Sequence, residues 1–215
     1  MAENTLGLIA ARKTSVIINR RRELEMIRQA VYDVGDAVRV VLIRGPQRAE
    51  EQQDPEGGYG KTRLLEEVER RIAQHEWSGT QPVVVSNPID LIDIHLHAQS
   101  NFLHAVRDSL ADRVDFSNYD EAFNRYQRRR TQGMDYRLVR EAAERADQLF
   151  LSDYRASAQR QRIVWLLDTA EQLAIASSEW LLDPKRRLLT AEDMQTRTLE
   201  WLKQQIRTRT LPNTT

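Results

Sequence analysis

The sequence predicts an α/β fold, a mainly parallel sheet with helices on both faces. Three short apolar runs carry this expectation: Val38 to Ile43 (VRVVLI), Pro82 to Val85 (PVVV) and Ile163 to Leu167 (IVWLL). Runs rich in β-branched residues read as strands buried on both faces, and such strands occur mostly in parallel sheets. Segments with helical spacing of apolar residues separate them, as crossovers between parallel strands require. At 215 residues, 40% of them hydrophobic, the chain is long and apolar enough to bury a real core.

In chain order, Val38 to Ile43 ends at Gly45-Pro46, a strand-terminating pair. Gln47 to Glu56 (QRAEEQQDPE) is polar and acidic and reads as a loop. Gly57 to Gly60 then leads into Lys61-Thr62 and a segment whose apolar residues Leu64, Leu65, Val68 and Ile72 share one helical face. The turn residues Ser78-Gly79 precede the second strand. Residues 98–158 are helical and highly charged, with Phe102, Leu103, Val106 and Leu110 marking one face and Leu138, Ala142, Ala146 and Leu149 another. The third strand ends in Asp168, and helices are expected around Glu171 to Ala176 and Ala191 to Arg209.

Charge and composition narrow the function. The chain carries 32 Lys+Arg and 32 Asp+Glu, a net charge of zero, which argues against a surface shaped overall for nucleic acid or anionic lipid. The basic runs Arg20 to Arg22, Arg128 to Arg130 and Lys185 to Arg187 read as solvated helix faces, and with aromatics at 7% no base-stacking platform is indicated. There is no cysteine, which excludes disulfides, thiolate metal sites and cysteine nucleophiles. No apolar run approaches the roughly 20 residues that span a bilayer, and the N-terminus lacks signal-peptide order, so a cytoplasmic protein is expected. His95 and His97, near Asp90 and Asp93, read as an exposed polar loop lacking a third metal ligand.

The strongest local signal is Gly57-Gly58-Tyr59-Gly60-Lys61-Thr62 between a strand and a helix. Glycines let backbone N–H groups turn inward around phosphate oxygens, and the helix N-terminus adds a positive dipole. Lys61 can reach the β- and γ-phosphates and Thr62 can ligate Mg2+ through its hydroxyl. The strict pattern G-x-x-x-x-G-K-[ST] needs glycine where this chain has Pro55. Excising Gln47 to Glu56 joins Gly45-Pro46 to Gly57 and restores it as GPGGYGKT, so residues 47–56 read as an insertion. Lengthening a loop from about five to about fifteen residues costs only on the order of 1 kcal/mol. The second element is IVWLLD, an apolar strand ending in the carboxylate of Asp168, the arrangement that holds magnesium opposite a phosphate loop. Glu171 could orient a water for attack on the γ-phosphate.

With these motifs the chain resembles the nucleotide-binding core of the STAND class of P-loop ATPases, close to the AAA+ and origin-recognition ATPase modules. Ile18-Asn19-Arg20-Arg21-Arg22-Glu23-Leu24 is similar to the box that precedes the phosphate loop and shapes the adenine pocket, with Asn19 where glycine is usual. VVLIRGP and GGYGKTRLLEEV resemble the Walker A region, and IVWLLDTAEQL the Walker B region.

The resemblance implies a P-loop NTPase three-layer α/β/α fold over residues 17–215, after an N-terminal extension, 1–16. It implies ATP and Mg2+ as cofactors, bound by Gly57, Gly58, Tyr59, Gly60, Lys61, Thr62, Arg63 and Arg20, with Thr62 and Asp168 at the metal. Lys61 and Glu171 become the catalytic candidates. Family members continue into a further strand and a helical lid, so the sheet is expected to be incomplete at the C-terminus. A downstream segment, a second copy or a partner chain is then expected to complete it.

Two departures shape the functional expectation. Thr169 stands where many AAA+ members carry the catalytic glutamate, and no sensor arginine is identifiable. The expected activity is therefore ATP binding with slow hydrolysis, a switch module within a signalling protein. The competing expectations are a degenerate, non-catalytic interaction domain and an origin-type DNA-binding ATPase.

Overall fold

The computed structural model describes residues 20–32, 39–43, 60–175 and 197–215. Among the described residues are four short strands, β1 (Val83–Val85), β2 (Ile89–Asp90), β3 (Arg162–Val164) and β4 (Leu167–Asp168). β1 pairs with β3 and β2 with β4, both parallel. Val83 lies opposite Arg162, whereas Ile89 lies opposite Leu167, so the first chain carries one extra residue between the paired stretches. That is the geometry of a β-bulge. Ser86 fills the gap: its N–H donates to the Val164 carbonyl at 2.8 Å, and its hydroxyl accepts the Leu166 N–H at 2.9 Å. The ladder resumes with Ile89 N–H on the Leu166 carbonyl at 2.8 Å.

Side chains alternate across this central strand as the pleat requires. Val164 and Leu166 enter a core formed with α1 (Arg21–Tyr32) and α2 (Lys61–Ala73), through Leu24, Ile27, Val31, Leu64, Val68 and Ile72. Ile163, Trp165 and Leu167 point the other way, into a larger core. That core is built by α3 (Gln99–Leu110), α4 (Ser117–Thr131), α5 (Tyr136–Ala158) and α7 (Thr198–Thr208). Apolar side chains are demanded on both faces, which is why IVWLL is apolar without alternation. The molecule is mixed α/β and mostly helical, with short parallel strands.

Phe102, Leu103, Val106 and Leu110 are all fully buried on α3, as their spacing predicts. On α5 the expected face is corrected. Leu138 is exposed, and the buried stripe runs Ala142, Ala146, Phe150 and Tyr154, a strict four-residue row. Phe150 stacks on Phe116 and meets Tyr119 edge-on, and these rings set the row that α5 presents. A 3-10 turn, Ile94–His97, precedes α3, and His97 Nε2 lies 2.9 Å from the Leu91 carbonyl. Asp93 caps that turn by accepting the His95 N–H. A short helix, α6 (Gln172–Ile175), follows β4. The helix expected over Ala191 to Arg209 is found as α7, and residues 191–196 lie outside the described residues.

The first predicted strand is corrected too. Residues 39–43 carry no regular secondary structure, Val40 and Leu42 are 66% and 63% exposed, and Val38 lies outside the described residues. Arg39 N–H donates to the Thr214 carbonyl at 2.9 Å.

That bond brings the C-terminal residues into the sheet. On their other side, Ile163 N–H donates to the Asn213 carbonyl, Thr215 N–H to Ile163 and Trp165 N–H to Thr215, at 2.8–3.0 Å. Ile163 and Thr214 pair in parallel. Residues 213–215 thus lie between β3 and Arg39. Arg162, fully buried, locks the arrangement: its guanidinium donates to Asn213 Oδ1 at 2.9 Å and to the carbonyls of Ala30 and Val31 in the last turn of α1.

Candidate functional site

The N-terminus of α2 faces the carboxyl end of β4. Gly60 caps α2 in the left-handed region, with φ 68° and ψ 22°, and its carbonyl accepts the first helical bond, from Leu64 N–H at 3.0 Å. This conformation favours glycine, and a glycine offers the first-turn amides no side-chain acceptor. The positive end of the helix dipole lies at this cap.

The next two residues make the site's central contacts. Thr62 Oγ1 donates to Asp168 Oδ2 at 2.5 Å, and Lys61 Nζ lies 3.0 Å from Glu171 Oε1. Two motifs separated by 106 positions therefore meet side chain to side chain. Asp168 is buried at the end of β4, and its second oxygen accepts the N–H of Thr169 at 2.9 Å. Glu171 is held below the usual carboxylate range, first by a hydrogen bond from its own backbone amide and then by that from Lys61.

Between the two carboxylates the backbone is strained. Thr169 has φ 56°, a left-handed conformation that is an outlier for a β-branched residue. The twist turns the chain after β4, and the Thr169 carbonyl then accepts Gln172 N–H at 3.0 Å to start α6. In the sequence Thr169 stands out only for its missing carboxylate. No residue-type signal announces the turn, because threonine is a poor choice for it.

Of the remaining predicted residues, Arg63 is exposed on α2. Arg20 sits just before α1, with its guanidinium 2.7 Å from Glu23. Gly57, Gly58 and Tyr59, with the insertion 47–56, lie outside the described residues. The contacts that assemble the site thus involve Lys61, Thr62, Asp168 and Glu171.

No known protein family, curated protein or solved structure matches the chain.

Proposed function

We propose that this chain binds a nucleoside triphosphate, ATP, with Mg2+, and acts as a slow ATPase switch module. The observation that carries the reading is the Thr62 hydroxyl on the Asp168 carboxylate, beside Lys61 at the glycine-capped start of α2. A hydroxyl, a carboxylate, a lysine and a helix N-terminus at one strand edge are the groups that a magnesium-triphosphate needs. Ligands of parallel sheets bind at that edge.

The donor set suits the metal. Mg2+ takes hard oxygens at about 2.0–2.1 Å in an octahedron and keeps several waters, so neighbouring ligands sit about 2.9 Å apart. Thr62 Oγ1 and Asp168 Oδ2, now 2.5 Å apart, need to separate only slightly, or Asp168 can act through a water. Among the described residues no group of three or more His, Asp or Glu side chains could cage a metal, and a site completed by phosphate oxygens and water does not require one. Bound magnesium would neutralise phosphate charge; Lys61 would hold the phosphates and the first-turn amides orient them.

We further propose a P-loop architecture for the sheet. It is supported by residues 213–215, which bond to the strand leading to Asp168 on one side and to Arg39 on the other. Slow turnover is supported by Thr169, which offers no carboxylate next to Asp168. The output of such a switch would be self-association or contact with a downstream partner.

A thermal-shift titration tests the reading. At a hundredfold excess of MgATP over Kd, binding stabilises by about 2.7 kcal/mol, or roughly 5–10 °C in a chain of this size. Lys61→Ala should remove the shift. A wild-type chain whose melting temperature ignores MgATP would instead favour a non-catalytic interaction domain.

A further inference from the structure

We infer that Glu171 is a gate on Lys61, an internal counter-ion that an incoming phosphate must displace. The inference rests on the nucleotide-binding reading of the same site and adds a regulatory element to it.

Lys61 Nζ lies 3.0 Å from Glu171 Oε1, so the ammonium that would meet the phosphates already has a carboxylate partner. The pairing is built by the fold. Glu171 reaches Lys61 because the chain reverses at Thr169, φ 56°, immediately after Asp168. Asp168 is in turn fixed by Thr62, the neighbour of Lys61 on α2. Two adjacent residues of one helix thus hold two acidic residues of one turn, in parallel contacts at 2.5 and 3.0 Å.

The exposures differ in a way that suits a gate. Asp168 is buried, whereas the Glu171 side chain is 54% exposed and that of Lys61 is 32% exposed. A rotamer change releases Glu171 into water with no backbone movement. The geometry also bears on the alternative role. A general base must keep a lone pair toward the attacking water, and the Glu171 oxygen seen here is turned to the lysine.

An ion pair this exposed contributes little, so the gate sets a threshold rather than a block. Removing it also removes a negative charge beside an anionic ligand. Glu171→Gln should therefore bind MgATP about three- to tenfold more tightly, with the gain shrinking in 0.5 M salt as screening shortens to about 4 Å.

The test is calorimetric titration of MgATP into the full chain as wild type, E171Q, E171A, K61A and the double variant K61A/E171Q. Support is a comparable gain in E171Q and E171A that shrinks in 0.5 M salt, and a gain that persists on the K61A background overturns the gate, since a gate acts through the lysine. Equal or weaker binding by both Glu171 variants overturns the gate and leaves nucleotide binding standing. Unchanged affinity with lost turnover overturns it in favour of Glu171 as the residue that orients water. Failure of the wild type and of both Glu171 variants to bind overturns the gate together with the nucleotide reading.

Discussion

Thr169 is where local preference and fold disagree most sharply. A β-branched residue at φ 56° costs roughly 1–2 kcal/mol relative to the right-handed region, and residues held in such conformations cluster at functional sites. Glycine removes that steric cost but adds unfolded-state entropy of about 0.5–1 kcal/mol. Thr169→Gly is therefore expected to raise stability by no more than about 1.5 kcal/mol, read from the urea midpoint. If the strained turn aims Glu171, the same variant should also loosen the Lys61 pair. That Thr62 and Asp168 lie at one edge was legible in the sequence, because one opens a helix and the other ends an apolar strand. The turn was not, because nothing in a threonine signals a left-handed backbone.

The helices differ in how openly their sequences declare them. α3 buries the row that its spacing marks, since Phe102, Leu103, Val106 and Leu110 have no competitor on that face. α5 offers two readings, Leu138 with Leu149 or Phe150 with Tyr154, and only the aromatic partners Phe116, Tyr119 and Trp165 select the second. Residues 39–43 show the converse: apolar, β-branched composition alone does not make a strand. The bulge at Ser86 is likewise a pairing property, invisible in either strand alone.

α5 also carries an acid in an apolar setting. Asp147 is pushed up to about 7, chiefly by burial, against the hydrogen bond it accepts from Gln99 on α3 and with some help from nearby Glu144. A carboxyl raised in the folded state binds more protons there than in the unfolded chain, so stability should fall as pH rises from about 4 to about 7. Asp147→Asn keeps an acceptor for Gln99 and has no charge to desolvate. It should flatten this dependence and raise the melting temperature at pH 8 by roughly 4–8 °C, for a gain of about 2 kcal/mol. Melting curves at pH 5 and pH 8 check both statements, and parallel curves for the two chains would contradict them.

For the whole molecule, the C-terminal residues act as a keystone. Asn213 receives the buried Arg162 guanidinium, Thr214 meets the buried Tyr154 hydroxyl at 2.6 Å, and the amides of Ile163 and Trp165 end on Asn213 and Thr215. Removing Leu211 to Thr215 strips partners from several buried polar groups at about 1–3 kcal/mol each. A domain's total stability is about 5–15 kcal/mol. The shortened chain is expected to lose its cooperative thermal transition, followed by circular dichroism.

The same geometry sets an order of events during synthesis. Thr215 Oγ1 donates to the Ala30 carbonyl at 3.4 Å across 185 positions of sequence, and Arg162 reaches the same turn of α1. Helices α1 and α2 leave the ribosome long before Arg162 and Thr215, the residues that tie α1 to the sheet. Closing such long loops is slow, so the apolar faces of α1 and of Val164 and Leu166 stay open to water, and to chaperones, until translation has passed residue 215.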